Sequence, residues 1–85
     1  MPSTLDFLIE EYELNTGDVK PTKGGYVPSY FLPAYHDWAE RFGVWLKRNY
    51  PDLSEAELTA QTFAEALNVS IYIASILVLI VTGKQ

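Results

Sequence analysis

Residues 68–83 read NVSIYIASILVLIVTG, and the fold turns on how that stretch is taken. Thirteen of them, residues 69–81, carry no charged or amide side chain. Ser70 is placed to cap a helix over residues 71–81, and Thr82 with Gly83 to end it. The run of Ile and Val would also suit a strand, so the caps carry the helical assignment. A helix apolar on every side is buried on every side or sits in lipid. Thirteen residues make about 20 Å of helix, whereas a membrane span takes about 20 residues. Reaching back to residues 64–82 supplies the length but takes in Asn68 and Glu65, and a carboxylate is costly in lipid. The expectation is therefore a helix packed centrally or in a homo-oligomer, with a strand and a C-terminal membrane anchor as alternatives.

Upstream, Ser54, Glu55, Ala56 and Glu57 spell a capping box, which predicts a helix from there to Leu67 burying Leu58, Phe63 and Leu67. Asn68 breaks it. Before Pro51, residues 33–49 place Tyr35, Trp38, Phe42, Trp45, Leu46 and Asn49 on one helical stripe. Pro33 suits the first turn and Pro51 closes the helix. Gly43 inside it costs about 1 kcal/mol relative to Ala, which predicts that another backbone comes close there. Residues 17–30 hold Gly17, Pro21, Gly24, Gly25 and Pro28 and read as a connector, its aromatics Tyr26, Tyr30 and Phe31 laid against the core. In residues 3–14, Leu5, Leu8, Ile9 and Tyr12 recur at helical spacing, Ser3 or Thr4 can cap, and Asn15, Thr16 and Gly17 stop the helix.

At 85 residues the chain is one domain with little stability to spare. It divides into an acidic helix over residues 1–16, the connector, and an aromatic-rich helical core over residues 31–85. Hydrophobic residues at 48% and aromatics at 14% predict a folded chain. The absence of cysteine excludes disulfides, Cys-ligated metals and thiol chemistry. The net charge of −5 lies wholly in residues 1–18, where Asp6, Glu10, Glu11, Glu13 and Asp18 have no basic neighbour. The remainder balances six basic residues with six acidic ones. Such a segment reads as a solvated face or as a docking surface for a basic protein. Arg41, Lys47 and Arg48 form the one local basic group.

Residues 61–79, QTFAEALNVSIYIASILVL, resemble the helix-turn-helix of Cro/XRE-type regulators. Phe63, Ala64 and Leu67 match the first helix, and Asn68 stands where the family usually has Gly. Val69 and Ser70 open the second helix, with Ala74, Ser75 and Leu77 along it. The resemblance implies DNA binding, with Arg41, Lys47 and Arg48 on phosphates and Ser70, Tyr72 and Ser75 near bases. The departures oppose it. The outer positions are Ser70, Ile71, Tyr72, Ser75, Ile76 and Leu79, and no Arg, Lys, Gln or Asn lies between Asn68 and Lys84 to make bidentate base contacts.

Catalytic and metal signals are weak. His36 is the only histidine, and its i, i+4 spacing to Glu40 falls short of a metal site; no metal or cofactor is expected. Gly24 and Gly25 lack a phosphate-loop context, and no serine sits in a nucleophile elbow. Asn68-Val69-Ser70 matches the glycosylation sequon, but it falls at an interhelical turn. No charged n-region followed by an apolar run opens the chain, so a signal peptide is not expected and the cytoplasm is.

The expected protein is all-α, a small bundle of about four helices with a helix-turn-helix-like C-terminal pair. Its expected function is protein–protein interaction without enzymatic activity, as a self-associating adaptor or inhibitor. Asp6, Glu10, Glu11, Glu13, Tyr26, Ile71, Tyr72 and Ile76 are its partner-facing residues. A DNA-binding regulator and a single-pass membrane subunit are the alternatives.

Overall fold

The computed structural model describes residues 4–21 and 32–83. Among these residues four α-helices form one bundle, α1 (Thr4–Thr16), α2 (Leu32–Asn49), α3 (Ala60–Leu67) and α4 (Ile71–Thr82), with a 3₁₀ turn at Glu55–Glu57. No strand occurs among the described residues, so residues 71–81 are helical as the caps predict. The Ser70 hydroxyl accepts the Ile73 amide at 3.2 Å. Gly83 ends α4 in the left-handed region at φ 74°.

Helix α1 buries the four residues its spacing picks out, Leu5, Leu8, Ile9 and Tyr12. It runs to Thr16, with Gly17 just beyond at φ 75° and its amide on the Glu13 carbonyl at 2.8 Å. Helix α2 supplies the largest share of the core. Tyr35, Trp38, Phe42 and Leu46 are buried, Trp45 is half-buried and Asn49 is exposed. The Trp38 and Phe42 rings stack at 4.9 Å, and Tyr12 meets Phe42 edge-on at 5.2 Å, which joins α1 to α2. Tyr26, Tyr30 and Phe31 lie outside the described residues.

The capping box at Ser54 is corrected. Ser54 Oγ accepts from the Ala56 amide while the Glu57 amide goes to the Ser54 carbonyl, and the chain makes a 3₁₀ turn rather than a helix start. The box that opens α3 is Thr59 with Thr62: the Thr59 hydroxyl accepts the Thr62 amide at 3.2 Å, and the Thr62 hydroxyl accepts the Thr59 amide at 3.1 Å. This later start turns Phe63, Ala66 and Leu67 inward and leaves Leu58 half-buried.

Asn68 closes α3 in the left-handed region at φ 56°, and residues 68–70 turn the chain by 110° into α4. Helix α4 packs on α2 at Gly43, where an added Cβ would lie 2.8 Å from the Val81 carbonyl oxygen. The close backbone approach expected at Gly43 is thus met, and α4 is its partner.

Candidate interaction surfaces

Helix α4 is not buried all round. Ala74, Leu77 and Val81 face the core. On the opposite side Ile71, Tyr72 and Leu79 are 57%, 75% and 49% exposed, Ser75 is exposed between them, and Ile76 is half-buried at the edge. The expected partner-facing residues Ile71 and Tyr72 therefore share one bare face, joined by Leu79. The Ser75 hydroxyl donates to the Ile71 carbonyl at 2.8 Å, so the centre of the face offers little polar function. Uncharged and apolar, this face has the composition of a protein contact surface.

The acidic helix is put to different use. Asp18 receives the Tyr12 hydroxyl and takes the Arg41 guanidinium on both oxygens, Nε at 2.7 Å and Nη2 at 3.2 Å. Arg41 holds the Asp18 carboxyl below its ordinary range. Burial, reinforced by Asp18, pushes the Tyr12 phenol up to about 12. Glu11 accepts the Tyr50 hydroxyl, which raises that phenol's pKa. Glu13 accepts the Lys20 amide at 2.9 Å, and the Lys20 ammonium reaches the Ala66 carbonyl near the end of α3 at 2.9 Å. Of the predicted acidic contact residues, Glu10 is exposed, while Asp6, Glu11 and Glu13 are half-buried. Asp6, Glu10 and Glu13 line a groove of about 560 Å³ together with Ile9, Leu14, Val19 and Lys20. Tyr26 lies outside the described residues.

Sequence reasoning left out Phe7, Leu14 and Val19, exposed apolar side chains beside these carboxylates. Phe7 and Leu14 fall off the Leu5–Leu8–Ile9–Tyr12 stripe, which is the signal that could have found them.

The basic group does not gather into a phosphate surface. Arg41 is engaged by Asp18, Lys47 lays its ammonium beside Gly83 at the C-terminal end of α4, and Arg48 is exposed. The Ser70 and Ser75 hydroxyls are bound to backbone groups of α4 itself. A second concavity, about 340 Å³, lies between Leu46, Tyr50, Leu53, Leu58 and Val81 with Lys47 at its edge. The described residues nearest to a metal-binding set are His36, Asp37 and Glu40, whose ligand atoms lie within 4.8 Å of one another. All three are exposed, and His36 Nδ1 lies 2.8 Å from Glu40 Oε1.

Among the described residues no single helix is long and apolar enough to cross a membrane. Helices α3 and α4 reach that length together, across their 110° bend. No family model, curated protein or solved structure matches this chain.

Proposed function

We propose that this chain is a small non-enzymatic interaction module of the cytoplasm, an adaptor or inhibitor that docks through the outer face of α4. The observation that carries this is the bare row of Ile71, Tyr72 and Leu79 on a helix with no charged side chain. A solvent-facing helix ordinarily carries polar residues there, and leaving three large apolar ones in water is a cost that contact with another surface removes. The exposed Glu10 on α1 is the acidic residue placed to meet a basic partner as a secondary contact.

The test compares proteins captured by the full chain with those captured by Tyr72→Glu/Leu79→Glu. Both positions are exposed, so the variant is expected to fold. Loss of specific partners from the variant supports the role, and identical capture by both overturns it.

A second reading, a DNA-binding regulator, draws on the 110° turn through residues 68–70, which falls within the roughly 90–120° of helix-turn-helix pairs. Its phosphate contacts would rest on Lys47 and Arg48, since Arg41 is held by Asp18. Retention of duplex DNA at low salt with a steep inverse salt dependence would favour it over the interaction module.

A further inference from the structure

Resting on the interaction role proposed above, we infer that the occupant of α4's outer face is α4 of a second copy, laid antiparallel with Ser75 at the two-fold axis. The pattern of the face is self-complementary. Ile71 and Leu79 stand four residues either side of Ser75, about 6 Å along the helix in each direction. Turning a second helix end for end about Ser75 brings each Ile71 over the partner's Leu79, and both Tyr72 rings flank the crossing. This is an isologous contact, in which each surface patch meets itself.

Three further properties fit that occupant. Ser75 is small and its hydroxyl is already satisfied by the Ile71 carbonyl, so two helices can approach closely at the crossing without stranding a donor. The charge pattern restricts where copies can meet. Each carries −5, and acidic surfaces repel, whereas α4 has no charge to bury from Ile71 to Thr82. A foreign partner must provide a matching uncharged face, and a second copy provides it by symmetry. The area sets the strength. The exposed parts of Ile71, Tyr72 and Leu79 amount to roughly 300–400 Å² per copy, below the roughly 800 Å² per partner of a standard stable interface. The dimer is therefore a weak one that exchanges with its monomer.

Because the chain has no cysteine, single substitutions report the geometry cleanly. Ser75→Cys, Ile71→Cys, Leu79→Cys and, as an exposed control on α2, Val44→Cys are incubated in a glutathione redox buffer at micromolar concentration. Pairing raises the local thiol concentration at the axis, so Ser75→Cys forms an intermolecular disulfide about tenfold or more faster than Val44→Cys. Ile71→Cys mixed with Leu79→Cys yields more of the mixed disulfide than of either homodimer. Homodimers of Ile71→Cys forming as fast as those of Ser75→Cys would mean parallel pairing and overturn the inference, and Ser75→Cys behaving like Val44→Cys would overturn it too. Sedimentation of the unsubstituted chain separates this from the broader role. Mass rising with concentration from 9.6 kDa toward twice that value, and abolished by Tyr72→Glu, supports the dimer. A strict monomer rejects the second copy while partner capture still judges the interaction module.

Discussion

Helices α1 and α4 hold the two extremes of this chain's composition, and each uses its extreme for the opposite of what its sequence suggests. The carboxylates of α1 look like a surface for a partner, yet Glu11, Glu13 and the nearby Asp18 are tied to Tyr50, Lys20, Tyr12 and Arg41 within the same molecule. The apolar side chains of α4 look like core, yet only one side of the helix is core. Charge here fastens α1 to its surroundings, and apolar surface is what the molecule offers outward.

The largest expected effect comes from the two sides of α4. Leu77→Ala, at a fully buried position, lowers stability by about 2–5 kcal/mol. Leu79→Ala, half exposed, changes it by less than about 0.5 kcal/mol in dilute solution. Chemical denaturation of both variants measures the gap, and equal losses would mean the outer face is not outside. Next is Gly43→Ala, which drives a Cβ to 2.8 Å from the Val81 carbonyl oxygen and costs about 1–3 kcal/mol by forcing α4 off α2. A stabilised Gly43→Ala variant would remove the close approach.

The fasteners of α1 come third. Asp18→Asn loses the charge-assisted bonds to Arg41 and is expected to cost about 1–2 kcal/mol, reduced by the partial exposure of the pair. Because folding lowers the Asp18 pKa, its contribution is present above the unfolded value near 4 and is lost as pH falls through the lower folded value. Because folding raises the Tyr12 pKa to about 12, that contribution is present below pH ~10 and lost as pH rises toward 12. Thermal melts across pH check both arms, and Asp18→Asn should flatten the acid one. The smallest effect belongs to Glu10→Gln, an exposed carboxylate on the same helix, which should change stability by less than about 0.5 kcal/mol. A loss matching that of Asp18→Asn would erase the distinction between tied and surface carboxylates.

What could be read from the sequence was local. The core stripe of α1, the Ser70 cap, the left-handed Asn68 and the demand of Gly43 for a near backbone all depend on residues a turn or two apart, where spacing and rotamer rules act. The start of α3 is ambiguous in the sequence because two cap patterns lie within five residues; at Ser54 the chain makes only a 3₁₀ turn, closed by the Glu57 amide on the Ser54 carbonyl. Tertiary packing of Phe63, Ala66 and Leu67 selects the Thr59 box instead. The fasteners of α1 were hidden for a different reason. Tyr50 lies 39 residues from Glu11 and Arg41 lies 23 from Asp18, so no periodicity links them. On α4 the apolar run alone does not choose a side; the helix-turn-helix resemblance names Ser70, Ile71, Tyr72, Ser75, Ile76 and Leu79 as outer positions, and all but the half-buried Ile76 are exposed.

The seat of Gly43 against Val81 also determines how variable this molecule can be. Most helix pairs are held apart by side chains, which can be exchanged, re-rotated and averaged over. Here one helix rests on the main chain of another, so the separation of α2 and α4 is a constant of the backbone rather than an outcome of the core's composition. The ledge bearing Ile71, Tyr72 and Leu79 is set in part by that contact. A single added methyl at residue 43 would move all of it together.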